Sequence, residues 1–286
     1  MLDSKKLKLH TLCENSVDGS GVCAEWGYSI LIETGDKTIL LDTGTTGAAA
    51  ENAVRMGIDL KTVDMIVLSH GHYDHTGGLP DVLKQIGKET PIIAHPDMFG
   101  LKYGMNKKTG KKRYAGMPYR KEMIESLGGR FEFTTKPFWI SDDIATSGEE
   151  ECTTTYETVS STLTIKTENG YEQDTMTDDL TLFLRTDLGL VVLTGCAHRG
   201  IINILRHGIK QMETENLYMV AGGTHLVGAD DEGVSKTIED LRELNPEWIG
   251  VSHCTGFPAA ARIFNAFPDN FFVNGAGTVI TFPVEK

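Results

Sequence analysis

The stretch Ser69-His70-Gly71-His72-Tyr73-Asp74-His75-Thr76-Gly77-Gly78 constrains this chain more than any other. It follows Met65-Ile66-Val67-Leu68, a short apolar run of β-formers that predicts a buried strand. Three imidazoles and a carboxylate therefore stand on the loop at a strand end. Neutral imidazole and carboxylate suit zinc, iron or manganese as ligands. On an irregular loop one segment can aim such groups at two neighbouring ions, whereas positions two apart on a helix face away from each other. A solvated histidine-rich turn is the plain alternative, and four ligand residues in this order behind a buried strand argue against it.

The rest of the chain supplies a frame for that loop. Tyr28 to Glu33, a turn at Thr34-Gly35-Asp36-Lys37, then Thr38 to Asp42 predicts a β-hairpin ending in Asp42-Thr43-Gly44. Helices are expected at Ala48 to Met56 and at Leu79 to Ile86, with Pro80 in the first turn, and a strand at Pro91 to His95. From Asp179 onward the pattern repeats. Leu180 to Thr186, a turn, and Leu190 to Thr194 echo the hairpin, and Trp248 to His253 echoes Met65 to His70. Helices at Asp230 to Leu244 and Pro258 to Phe267 and a strand at Thr278 to Phe282 complete the reading. Two similar halves suggest an internal duplication, and two such sheets packed face to face with helices outside give a four-layer α/β/β/α sandwich. The expectation is one α/β domain over residues 1–286, with a basic insertion at about 101–130 and a polar excursion at about 149–179.

The H-x-H-x-D-H run closely resembles the signature of the metallo-β-lactamase superfamily. That resemblance implies a first metal on His70 and His72 and a second on Asp74 and His75. It also implies that Asp42, in a matching D-T-G segment, braces the metal loop from behind; an ordinary turn aspartate is the alternative. Superfamily members often place a bridging aspartate or a metal-binding cysteine after a later strand-end glycine. Here Gly195-Cys196-Ala197-His198 stands there, and no separate histidine precedes it between Leu101 and Gly195. The economical arrangement makes His198 complete the first site and His253 the second. Cys196 is then either a direct ligand or a buried thiol. His225, in Gly222-Gly223-Thr224-His225, is open to three roles: ligand, substrate contact or general acid.

Five cysteines, an odd number without regular spacing, argue against a disulfide framework. No window reaches the ~18 apolar residues of a membrane span, and Met1 to Leu12 lacks the apolar core of a secretory signal, so a cytoplasmic protein is expected. The net charge of −13 disfavours nucleic acid and anionic membranes. Between Leu101 and Lys121, however, there are eight basic residues and no acidic one. Its glycines and tyrosines predict an ordered but mobile loop, suited either to phosphate binding or to an oligomer contact. Lys111, Lys112, Arg113 and Arg120 are the candidate contacts to an anionic small molecule.

Two divalent ions, zinc first with iron or manganese as alternatives, can activate water and polarise a substrate oxygen. Within the superfamily, the Gly195 to His198 and Gly222 to His225 segments and the basic insertion resemble a subgroup of dihydropterin synthases of the methanopterin pathway. That resemblance implies alkyl transfer, in which an arylamine nitrogen displaces the diphosphate of a dihydropterin; Asp74 and His225 are the candidate catalytic groups. A hydrolase of a phosphoester, lactone or thioester, and a non-catalytic metal-containing binding module, are the alternatives. A di-iron oxygen reductase is disfavoured, since such proteins usually carry Glu at the place of His72.

Overall fold

The computed structural model describes every residue except Ser20 and Lys286. The expected hairpin forms as β2 (Ser29–Glu33) and β3 (Thr38–Leu41), antiparallel with Ile32 opposite Ile39. Along it Ile30 and Ile32 point one way and Leu31 the other, and all three are fully buried. A strand apolar on both faces has to be covered on both faces.

The hairpin sits inside a seven-stranded sheet. Beyond β2 lie β1 (Lys8–Cys13) and, at the edge, β17 (Val279–Thr281); beyond β3 lie β4 (Met65–Val67), β5 (Thr90–Ala94) and β8 (Gly129–Phe133). The second sheet has six strands: β9 (Trp139–Ser141), β10 (Ile144–Thr146), β13 (Leu182–Thr186), β14 (Gly189–Thr194), β15 (Leu217–Gly223) and β16 (Trp248–Ser252), in that spatial order. In both sheets three antiparallel pairings are followed by parallel ones. The expected duplication is therefore visible as topology, with one correction. The strand in the position of β4 is β15, and Trp248–Ser252 takes the position of β5. The shared Ser-His after an apolar run reflects two strand ends that both deliver a histidine, not a common place in the sheet.

Leu9, Ile30, Leu41 and Val67 of the first sheet meet Leu182, Leu184, Val191 and Met219 of the second in the central core. Outside the first sheet, α1 (Ala48–Arg55), α3 (Leu79–Ile86) and α4 (Lys121–Ser126) close over Leu31, Leu40, Ile66 and Ile92. Outside the second, α5 (Ile201–Gln211), α6 (Asp231–Leu244) and α7 (Phe257–Ala266) close over Phe183, Val192, Val220 and Ile249. The layers are α/β/β/α, as expected. The ends of α6 follow its local chemistry: the Asp230 side chain accepts the Gly233 N–H, and Asn245 turns left-handed at the other end.

The basic insertion and the polar excursion differ from expectation. They pair with each other in a third sheet, ordered β12 (Gly170–Gln173), β11 (Leu163–Thr167), β6 (Lys102–Met105), β7 (Lys112–Tyr114). Tyr103 packs edge-on against both Tyr114 and Tyr171, which gives this polar sheet its small apolar face. Lys102 is not a free cation. Its ammonium is buried and donates to Asp174 at 2.9 Å and to Asp178 at 2.8 Å. Among the described residues, no helix is long and apolar enough to cross a membrane.

Candidate metal centre

Strand β4 runs into the ligand loop, which is irregular through His72 and then makes one helical turn, α2 (Tyr73–Thr76). The irregular-loop expectation thus holds for His70 and His72, while Asp74 and His75 leave the turn as sequence neighbours. Close approach fixes the glycines of the loop. A Cβ on Gly71 would stand 1.9 Å from the Met98 carbonyl oxygen, and one on Gly77 would stand 2.0 Å from that of Thr45. The loop is laced to the end of the hairpin as well. The Thr43 N–H and hydroxyl both donate to the His75 carbonyl, and the Tyr28 N–H donates to that of Asp74.

The side chains form two adjoining triads. His70 Nε2 lies 2.9 Å from His72 Nδ1 and 3.3 Å from His198 Nε2. Asp74, His75 and His253 bring one donor atom each within 4.8 Å of one another, as the first three do. All six are buried. His70 and His75 abut, with ring centroids 4.2 Å apart, so the triads share an edge. Cys196 Sγ lies 3.1 Å from His75 Nε2 at that edge, and Cys254 donates to the Cys196 carbonyl from behind.

Four of the six donors, His70, Asp74, His75 and His253, are held by further side chains. Asp42 accepts the Ser69 N–H and hydroxyl on its two oxygens, and Oδ2 also meets His75 Nδ1. Ser69 Oγ meets His70 Nδ1 at 2.9 Å, and Asn15 Oδ1 meets His253 Nδ1 at 3.0 Å. The Trp26 indole N–H donates to Asp74 Oδ2 at 2.7 Å. Asp178, besides pairing with Lys102, accepts the Gly71 N–H at 2.9 Å. Of these props only Asp42 is foreseen from sequence. Asn15, Trp26 and Lys102 lie far from any motif and carry no local signal.

The donor set fits a cation. Burial, and then neighbouring imidazoles, push His70 and His198 well below the ordinary histidine pKa, and burial takes His72 down to about 4. These rings are neutral and present lone pairs. Burial also acts to lower His75, but the Asp42 carboxylate outweighs it and the net value rises to about 9. A cation at Nε2 would take the place of that proton. Burial acts to raise Asp74, yet His253 and His75 hold it below the usual carboxylate range. Within this cluster His72 Nε2, His198 Nδ1 and His253 Nε2 are buried without a hydrogen-bond partner among the described residues. Such atoms are expensive to leave unpaired. The Cys196 thiol is pushed up by burial and then by Cys254.

His225 sits beside the first triad, its ring centroid 4.1 Å from that of His198, on left-handed backbone (φ 50°). Of the four candidate cations, Arg113 alone lines a recess next to the site, over the Tyr73 ring. Lys112 stacks on Tyr171, 3.4 Å from its centroid, and Lys111 and Arg120 line neither recess beside the triads. Lys107, on the same hairpin, lines the larger one.

A family model for the metallo-beta-lactamase superfamily matches residues 27–164, which carry the hairpin and the whole ligand loop. The chain belongs to that superfamily. It is 36% identical, over 96% of its own length and 97% of the relative's, to the 7,8-dihydropterin-6-methyl-4-(beta-D-ribofuranosyl)-aminobenzene-5'-phosphate synthase of Methanocaldococcus jannaschii. Among solved structures, that of Tm1679, described as a metal-dependent hydrolase of the beta-lactamase superfamily, superposes with a TM-score of 0.82 at 28% identity, covering 96% of this chain and 98% of that one. The metallo-beta-lactamase fold protein YhfI of Bacillus subtilis shares the fold at 14% identity, with a TM-score of 0.56 and the same coverage.

Proposed function

We propose that this chain is a metal-dependent enzyme acting on phosphorylated small molecules, and that its reaction is C–N bond-forming alkyl transfer on a dihydropterin diphosphate. The observation that carries this is the pair of abutting triads, His70, His72 and His198 beside Asp74, His75 and His253, with three of their nitrogens unpaired. These six residues would hold two divalent cations, zinc by the mixed nitrogen and oxygen donors, with Cys196 at the shared edge. When bound, such a pair supplies Lewis acidity to a departing phosphate oxygen.

The chain's own residues do the rest. Arg113 binds anionic oxygens, Trp26 orients Asp74, and His225 takes the proton that the arylamine loses as its nitrogen bonds to the methylene carbon and the C–O bond to diphosphate breaks. Burial, then His72 and His253, hold His225 down to about 4, so it is neutral and able to accept. The 36% identity to the synthase, over nearly the whole of both chains, supports transfer. Hydrolysis of a phosphoester, lactone or thioester is the second reading, favoured by the likeness to Tm1679; it would use the same residues with water in place of the amine. A product screen on metal-loaded protein separates them. A C–N coupled product from a dihydropterin diphosphate and an arylamine is expected. Turnover of phosphoesters or lactones alone would favour the hydrolase, and no turnover the non-catalytic binding module.

A further inference from the structure

Cys254 has no part in the two donor triads, yet it lies against them. It is buried, and its Sγ, Cys196 Sγ and a His253 ring nitrogen lie within 4.8 Å of one another. The nitrogen left to this group is Nε2, because Nδ1 faces Asn15 Oδ1. Among the described residues His253 Nε2 is buried with no hydrogen-bond partner, and the two thiols are not joined to each other. A buried thiol is usually a small apolar group filling a core. Cys13 packs in that way, in one cluster with Leu12, Leu31 and Leu40, but Cys196 and Cys254 belong to none of the three apolar clusters. Their surroundings are polar. Cys254 donates to the Cys196 carbonyl at 3.3 Å and accepts the His225 N–H at 3.3 Å. An N–H aimed at sulfur favours the thiolate over the thiol. Room is kept for that sulfur by Gly223, where a Cβ would stand 2.6 Å from Cys254 Sγ.

His253 is fixed on three sides. Its N–H donates to Glu14 Oε1 at 2.7 Å, its carbonyl accepts the Asn15 amide at 3.1 Å, and its ring meets Asn15 Oδ1 at 3.0 Å. Residues 14–15 thus hold the ring with Nε2 turned inward, 3.6 Å from Asp74 Oδ2. That nitrogen has one lone pair and can bind one ion. Toward one side it completes an oxygen and nitrogen set with Asp74 and His75; toward the other it completes a sulfur-rich set with Cys196 and Cys254. Cations divide between such sets by softness. Carboxylate and imidazole suit zinc or manganese, whereas paired thiolates draw softer ions such as copper(I) and cadmium.

We propose that Cys196, Cys254 and His253 form a third metal site, selective for thiophilic cations, and that its occupation excludes an ion from the triad of Asp74, His75 and His253. Each thiol gives up its proton to solvent as the ion binds, and nothing is oxidised or reduced. The soft ion takes His253 from the neighbouring triad, so it disarms the centre by removing a ligand and not by filling a recess. Cys196 leaves its place beside His75 Nε2 at the same time, since one sulfur cannot serve the shared edge of the triads and the new site equally. This holds whichever reaction the centre runs.

Adding one equivalent of an NMR-active cadmium isotope to the full, zinc-loaded chain tests this. The resonance of the bound ion and its ultraviolet sulfur-to-metal charge transfer both count sulfur ligands in the wild-type protein, with no substitution needed. Two thiolates on cadmium, with release of about one zinc ion per chain, are expected. Cys254→Ser removes one sulfur and none of the six triad donors. It should keep its zinc, lose about half of the charge-transfer intensity and bind cadmium at least about tenfold more weakly. A cadmium ion with one sulfur ligand or none would overturn the site, as would an unchanged signal in Cys254→Ser. Two thiolates on cadmium with both zinc ions retained would overturn the exclusion.

Discussion

Asp42 Oδ2 and His75 Nδ1 meet at 2.6 Å with neither side chain reached by solvent. The same carboxylate accepts both donors of Ser69, its N–H and its hydroxyl, so one residue sets the tautomer of His75 and the start of the ligand loop. It does so from left-handed backbone (φ 60°), a region that aspartate tolerates better than most non-glycine residues and in which its hydrogen bonds with Ser69 hold it. Asp42→Asn keeps the shape and removes the charge. Metal affinity should fall roughly 10–100-fold, measured by competition with a chelator. Wild-type affinity would show that His75 needs no such partner.

Lys102→Met leaves two buried carboxylates, Asp174 and Asp178, without their cation. Breaking a buried pair in this way costs about 3–5 kcal/mol, to be read from urea denaturation. Metal binding should weaken too, because Asp178 carries Gly71. Burial acts to lower the Lys102 pKa, but Asp178 and Asp174 outweigh it and the net shift is upward from 10.5. Stability from a raised lysine is complete below its unfolded pKa and lost only above the folded one. The gap between wild type and variant should therefore stay level between about pH 7 and pH 9. A loss under ~1 kcal/mol would mean that Lys102 with Asp174 and Asp178 is not what holds the third sheet to the loop.

His198→Ala should lower metal content from two ions per chain toward one, as should His253→Ala, each by emptying a different triad. Elemental analysis of the folded variants decides it. Content that both substitutions leave untouched would dismiss the two-triad assignment.

Cys196 and Cys254 are each 3% exposed, whereas Cys152 is open to solvent and serves as an internal reference for alkylation. If Cys196 ligates at the shared edge of the triads, chelation should speed its modification while that of Cys152 stays constant. Equal Cys196 rates before and after chelation would leave it as a buried thiol only.

What could be read in the sequence was local. The hairpin announced itself by two apolar runs around a Gly-Asp turn, α3 by Pro80 in its first turn, and the first four donors by standing within six positions. The third sheet was illegible because its strands are polar and short, and because Lys102 and its partner Ile165 are far apart in the chain. For the same reason Lys102 counted as a surface charge when it is buried. Trp26 and Asn15 support the second triad only once the fold carries them there, and Lys107 differs from its basic neighbours by position alone.

The third sheet joins an insertion from the first half to one from the second, and it reaches both recesses: Arg113 in one, Lys107 and residues 158–163 in the other. The donor triads stand on strand ends of the two large sheets and owe it one buried lysine. A change in either short hairpin therefore reshapes the wall of a recess without displacing a donor, provided Lys102 and its carboxylates survive.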